Sequence, residues 1–196
     1  MKKLNEIINN TRMIDQSGIP SDTLHGLVDL ISHIGGLKNK KCLEVGCFRG
    51  VSSEVFLLHE PKEMHFVDAW GKCANYSESN WALSSSSKNW GSIKSEFEER
   101  INPYREKTDI NIIHDLSEEA SKNAKDNYFD FIYIDGDHSY NGVKLDISYW
   151  LPKLSKGGYF CGHDYTTHAS VQQACHEVFD QNKIATFSDS SFLIEQ

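Results

Sequence analysis

Hydrophobic and polar residues along this chain fall into blocks, some at helical spacing and some as short unbroken apolar runs. Leu4, Ile7 and Ile8 share one helical face near the start, so residues 1–36 read as an N-terminal helical segment. Within it, Leu24, Leu27, Val28, Ile31 and Ile34 form a stronger stripe, with Ser21 or Asp22 as its cap and Gly35-Gly36 as its stop. The apolar run "KCLEVG" then predicts a buried strand, a Gly-containing turn follows, and "SSEVFLLHE" predicts a short helix. "MHFVDAW" reads as a second strand, and Ile93, Phe97 and Ile101 mark the next helix. "INIIHD" is a third strand, after which Asp115 and Glu118 form a capping box for "LSEEASKNA". Phe129 to Ile134 is aromatic and β-branched, as a buried strand requires. Val143, Ile147, Trp150, Leu151 and Leu154 stripe the following helix, "GGYFCGHDY" is a fifth strand, and Val171, Cys175, Val178 and Phe179 mark a further helix. "KIATF" and "SFLIEQ", separated by "SDS", predict a terminal hairpin.

Strands that alternate with helices in this way imply right-handed crossovers and a mostly parallel sheet covered on both faces. The fold class is therefore α/β, a Rossmann-like doubly wound sheet, and no linker or repeat divides residues 1–196 into more than one domain. In such sheets ligands bind beyond the carboxyl ends of the strands. Residues 71–90 carry neither period but disperse Tyr76, Trp81 and Trp90 among polar residues, the pattern of a lid or substrate loop.

Charge narrows the picture. A formal net charge of −8 gives no broad basic surface, so no nucleic-acid partner is expected. No apolar run approaches a bilayer span and the N-terminus lacks a hydrophobic signal region, so the expectation is a cytoplasmic protein with no membrane partner. Five cysteines without a CxxC pair argue for reduced, buried thiols at Cys42 and Cys161 and against a zinc finger.

The candidate chemistry lies at strand ends. In Glu44-Val45-Gly46-Cys47-Phe48-Arg49-Gly50, Gly46 and Gly50 let the backbone turn tightly and approach a ligand. Asp68 ends the next strand, where an acidic residue accepts hydrogen bonds from ribose hydroxyls. Cys47 and Phe48 stand where a dinucleotide loop wants its second glycine, and Glu44 adds negative charge below the turn, so a cationic nucleoside suits the pattern better than a pyrophosphate. The fourth strand ends in Asp135, Asp137 and His138, where charge is costly unless solvated, paired or bound.

With these elements in place, the chain resembles the class I S-adenosylmethionine-dependent methyltransferases from about residue 35 to its end. "CLEVGCFRG", "FVDAW", "HDLSEEA" and "FDFIYIDGDHSY" look like the first four motifs of that family. The D-G-D-H-x-Y and G-x-H-D-Y motifs resemble more narrowly a subgroup of small O-methyltransferases, some acting on sugars or antibiotics. The resemblance implies a seven-stranded sheet with an antiparallel last strand, and S-adenosylmethionine as cofactor. It implies that Glu44 and Gly46 face the methionine moiety, with Gly50 and Ser52 beside them, and that Asp68 holds the ribose. Ala69 and Trp70 would border the adenosine, and Asp115 and Leu116 would lie near adenine, with Asp135 closing the site. Asp115 as a plain helix cap, Trp70 as core packing and Asp68 as a strand terminator are the alternatives.

Adjacent fourth and fifth strands would bring Asp135 and Asp164 into one space, where two carboxylates repel unless a cation lies between them. Oxygen-dominated ligation by Asp135 and Asp164, with His163 as an extra ligand, points to Mg²⁺ or Mn²⁺. His168 reads as a further ligand or as a solvated loop residue. His138 is the candidate general base, and Asp137 either touches metal or substrate or caps the next helix, with Ser139 as the competing cap. The expected activity is metal-assisted O-methylation of a small hydroxylated acceptor, sugar-like or natural-product-like, with a homodimer as one way of completing the pocket. A nicotinamide-dependent oxidoreductase and a non-catalytic nucleoside-binding protein are the competing readings. A zinc hydrolase lacks an HExxH-type pair.

Overall fold

The five apolar runs form strands: residues 41–45 and 129–134 are buried on both faces, which gives near-continuous hydrophobic sequence rather than alternation, whereas residues 109–114 are mostly half-exposed. In chain order they are β1 (Lys41–Val45), β2 (Glu63–Asp68), β3 (Asp109–His114), β4 (Phe129–Ile134) and β5 (Leu154–Gly162), followed by β6 (Ile184–Thr186) and β7 (Phe192–Ile194). The helices are α1 (Thr23–His33), α2 (Val51–Leu58), α3 (Trp90–Ile101), α4 (Ser117–Lys122), α5 (Tyr140–Trp150) and α6 (Ala169–Val178). This computed structural model describes Asn5, residues 23–72 and residues 89–195. The predicted opening helix of Leu4, Ile7 and Ile8, the caps Ser21 and Asp22, and Tyr76 and Trp81 of the predicted lid lie outside the described residues.

One seven-stranded sheet has the order β3-β2-β1-β4-β5-β7-β6. β1 to β5 pair in parallel, while β7 runs antiparallel to both β5 and β6, as the predicted hairpin requires. Successive residues of β1 face opposite sides, so Cys42 joins one core layer and Leu43 the other. On the first side, Phe66, Phe131 and Tyr133 meet Leu27 and Ile31 of α1, Phe56 of α2 and Phe97 of α3. On the second, Ile132 and Ile134 meet Val143, Ile147 and Trp150 of α5 and Ala174 and Cys175 of α6. Truncating a fully buried ring such as Phe131 to alanine would cost roughly 3–5 kcal/mol. Among the described residues no helix is long and apolar enough to cross a membrane.

The order of strands reverses between β1 and β4, so the crevice that such sheets offer to a ligand opens at the carboxyl ends of these two neighbours. There the loops approach closely. Asp135 N–H donates to Val45 O at 2.7 Å, and a Cβ on Gly46 would lie 2.1 Å from Asp135 O. Gly46 also has φ 88°, which leaves glycine as the residue that fits.

Two local expectations change and one open choice is decided. The stripe predicted to run through Leu154 ends at Trp150, because Pro152 cannot continue a helix; a short turn Leu151–Lys153 follows and Leu154 opens β5. Asp115 does not cap α4. The helix starts at Ser117, its cap position is Leu116, and the Asp115 carboxylate instead accepts the Leu116 N–H at 2.9 Å. Ser139, not Asp137, caps α5, accepting the Gly142 N–H at 3.1 Å.

Candidate active site

The turn after β1 is held from below by Asp68. Its Oδ2 accepts the N–H groups of both Cys47 and Phe48 at 2.8 Å, and its Oδ1 accepts the Trp70 N–H at 2.7 Å. These donors fill three of about four acceptor directions of a carboxylate and leave one for a ligand hydroxyl. The amides that would cradle a pyrophosphate are therefore already satisfied by a carboxylate. Phe48 adopts φ 47°, a left-handed conformation unusual for such a side chain, and Trp70 Nε1 donates to its carbonyl at 3.0 Å.

Trp70 takes the core-packing position, one of the two readings open for it. Its ring is 4% exposed and lies 4.9 Å from the Phe97 ring, so it braces the turn from the core instead of bordering the open end of the sheet. A second brace was not foreseen. Arg100 donates from Nε to Arg49 O at 3.0 Å and from Nη1 to Glu54 Oε2 at 2.9 Å, while Tyr104 OH donates to Glu54 Oε1 at 2.8 Å. No motif flags this trio, since α3 is remote in sequence and only the fold brings it to the turn.

Glu44 lies fully buried beneath the turn, and the hydroxyls of Ser52 and Ser53 both donate to it. Burial pushes its carboxyl up to about 8; the two serines oppose that rise and the nearby Asp135 and Asp68 charges add to it. A cation in the crevice would favour the ionised form. Further along, Asp115 lies 3.4 Å from Lys72 Nζ and Leu116 is half-buried beside it. His114 Nε2 lies 3.0 Å from Ala69 O, which ties the ends of β2 and β3 together.

At the other end, the register pairs Ile134 with Gly162, so the residues that follow, Asp135 and His163, leave the sheet side by side. Asp164 adopts φ 64° and its side chain is largely buried. His138 Nε2 stands between the two carboxylates, 3.4 Å from Asp135 Oδ1 and 3.1 Å from Asp164 Oδ2. His163 Nδ1 lies 3.4 Å from Asp164 Oδ1 and 3.8 Å from Asp135 Oδ1. Thr167 Oγ1 donates to Asp164 Oδ1 at 2.8 Å. Asp137 stays out of this group, because its carboxylate turns back to accept the Ser139 N–H at 2.8 Å and packs against Gly142.

The electrostatics follow from that crowding. Burial alone would lower His163, but the Asp135 charge and the hydrogen bond and charge of Asp164 raise it to about 10. Burial also disfavours charged His138, yet the hydrogen bond to Asp135 and the charges of Asp135 and Asp164 lift it above the ordinary histidine range. Burial would raise the Asp164 carboxyl, and the hydrogen bond and charge of His163, with His138 and Thr167, hold it well below the usual value.

Ligand atoms of Asp135, His163 and Asp164 lie within 4.8 Å of one another. Around an ion at about 2.1 Å from each donor, neighbouring donors stand roughly 3 Å or slightly more apart. The separations of 3.8 and 3.4 Å from His163 Nδ1 to Asp135 and Asp164 are compatible with a shared divalent cation after a small inward movement. The donor set, one imidazole and two carboxylates, is the one named from the sequence.

The model of a family described as "Methyltransferase domain" matches residues 43–165. No curated protein matches the sequence. Among solved structures, the O-methyltransferase NovP superposes with TM-score 0.59 at 15% identity, covering 100% of this chain and 79% of that one. An O-methyltransferase from Bacillus cereus in complex with SAH gives TM-score 0.60 at 14% identity, covering 100% of this chain and 91% of its own. A protein from Corynebacterium glutamicum gives 0.62 at 8% identity, covering 100% and 89%. At these identities the likeness is one of fold.

Proposed function

Since the chain belongs to the methyltransferase-domain family and has the class I methyltransferase fold, we propose that it transfers the methyl group of S-adenosylmethionine to a hydroxyl oxygen of a small acceptor. The observation that carries this reading is the contact of Gly46 with the main chain of Asp135. It joins the turn built for a nucleoside to the cluster built for moving a proton, at the ends of two neighbouring strands.

When bound, S-adenosylmethionine supplies a methyl group on a sulfonium centre. Glu44, Asp68 and Asp135 surround the turn with carboxyl groups, which favours that positive charge over a phosphate. Asp68 keeps one acceptor direction for a ribose hydroxyl, and the Asp115-Leu116 end lies where the base would extend. The competing nicotinamide reading needs free amides in the turn, and Asp68 takes them.

A neutral alcohol is a poor nucleophile, so the chain must remove its proton. Asp135 and Asp164 hold His138 by Nε2, which fixes the ring and leaves Nδ1 as the atom that takes the acceptor proton. The same carboxylates stabilise the imidazolium that forms. Asp135, His163 and Asp164 would hold a divalent cation, whose charge would acidify the acceptor hydroxyl. Their nitrogen-containing donor set suits Mn²⁺ better than Mg²⁺.

The test is incubation with methyl-labelled S-adenosylmethionine, Mn²⁺ and a panel of hydroxylated sugars and phenols. Label recovered as a methyl ether on an acceptor supports the reading. Label on nitrogen would overturn the assignment of oxygen, and cofactor binding without transfer to any acceptor would favour the non-catalytic alternative.

A further inference from the structure

His168 is the residue that the reaction above leaves unused. It occupies the cap position of α6, and its own N–H donates to Asp164 O at 2.9 Å, which folds the chain back in one turn. That turn carries its imidazole over Asp164: His168 Nδ1 lies 3.3 Å from Asp164 Oδ1 and 3.2 Å from Thr167 Oγ1. Its ring centroid is 5.0 Å from that of His138. The ligand atoms of His138, Asp164 and His168 lie within 4.8 Å of one another. A solvated histidine has no reason to converge on the same carboxylate as two other histidines.

We propose that His138, Asp164 and His168 form a second cation site, selective for a borderline divalent ion such as Zn²⁺, that shares Asp164 with the first site and shuts the enzyme off when filled. The selectivity rests on donor chemistry. Two imidazoles and one carboxylate, with positions left open to water, match the ligand sets of three-ligand zinc sites. Zn²⁺ also binds such donors more tightly than Mn²⁺ does. The two sites share Asp164 and differ in their remaining ligands, His138 and His168 in one and Asp135 and His163 in the other.

The inhibitory sign rests on the base role given to His138 above. An imidazole that binds a cation through one ring nitrogen carries its proton on the other. It then has no lone pair with which to take the acceptor proton. Zinc bound here would compete for the one side chain that the methyl transfer needs, leaving the cofactor turn untouched.

The test uses the metal-stripped full chain and direct calorimetric titration with Zn²⁺ alone and with Mn²⁺ alone. Two variants separate the sites: H168N, at a half-exposed position with little packing to lose, and D135N. The expected result is that H168N weakens Zn²⁺ binding at least about 10-fold, while its Mn²⁺ affinity stays within about 2-fold. D135N is expected to do the reverse. Co²⁺ as a spectroscopic stand-in should lose its visible absorption change in H168N and keep it in D135N. Unchanged Zn²⁺ affinity in H168N, or Zn²⁺ affinity lost only in D135N, would overturn the proposal. In a methyl-transfer assay, micromolar Zn²⁺ should inhibit the wild type and leave H168N active. A titration with S-adenosylmethionine on the same preparations keeps the two ideas apart: failure to bind it sinks the methyltransferase mechanism, whatever zinc does.

Discussion

His138 Nε2 lies 3.1 Å from Asp164 Oδ2, so the loop after β4 and the end of β5 are joined by a charge-assisted contact at the mouth of the crevice. The same nitrogen reaches Asp135 at 3.4 Å. A histidine held by two carboxylates has a fixed orientation and a stabilised charged form, which are the properties of a base that must capture a proton and then release it.

Replacing that base is the sharpest chemical test. His138→Ala should lower kcat by about 10²–10⁴-fold, the usual contribution of a positioned base, with the dissociation constant for S-adenosylmethionine nearly unchanged. Single-turnover kinetics beside a binding titration separates the two quantities. Wild-type kcat in the variant would remove His138 from the mechanism.

Metal dependence is tested through Asp164. A chelator should abolish methyl transfer, and Mn²⁺ should restore it to the wild type. Asp164→Asn should weaken Mn²⁺ affinity by at least about 10-fold, because it removes a charged ligand. Full activity in the chelated wild type would show that the cluster handles protons without a metal.

Asp68 should matter to the fold as well as to the cofactor. Asp68→Ala strips the acceptor from the N–H groups of Cys47, Phe48 and Trp70. The cost should be about 1–3 kcal/mol, or a melting temperature lower by roughly 2–4 °C per kcal/mol. Binding of S-adenosylmethionine should weaken in parallel. A variant that melts like the wild type would mean that the turn finds other partners.

Glu44 gives the fold a pH dependence of known sign. The folded chain holds the Glu44 proton more tightly than the unfolded chain, since burial raises the carboxyl to about 8. Its stabilising contribution is complete below the ordinary carboxylate range, about 4, and is lost as pH rises towards about 8. Asp146, pushed up to about 7 by burial, adds to the same trend. Thermal melts of the cofactor-free protein should therefore show stability falling between pH 5 and 8, roughly. Glu44→Gln should flatten that fall by on the order of 1 kcal/mol or more. Parallel curves for variant and wild type would contradict the assignment.

Much of this was legible in the sequence because the strands carry short apolar runs and several of them end at a charged residue. Phe129 to Ile134 followed by Asp135 is the clearest case, and the hairpin of β6 and β7 was marked by its polar turn. The choices that the sequence left open or misplaced lie where a residue's partner is distant in sequence or displaced by a position or two. Trp70 faces Phe97 in the core, a choice that periodicity in β2 does not determine. Asp115 and Asp137 each stand a residue or two too early to cap a helix, and local composition is blind to such offsets. His168, open between a ligand and a solvated loop residue in the sequence, lies beside Asp164, whose left-handed conformation no neighbouring residue type announces.

The account depends first on the nucleoside half of the site, and calorimetric titration of the metal-stripped protein with S-adenosylmethionine, with NAD as the control, tests it most directly. The predicted result is saturable binding of S-adenosylmethionine, at micromolar affinity or tighter, and no heat from NAD. Binding of NAD in its place would mean that the turn amides held by Asp68 are released to a pyrophosphate, and the methyl-transfer mechanism would fall with them.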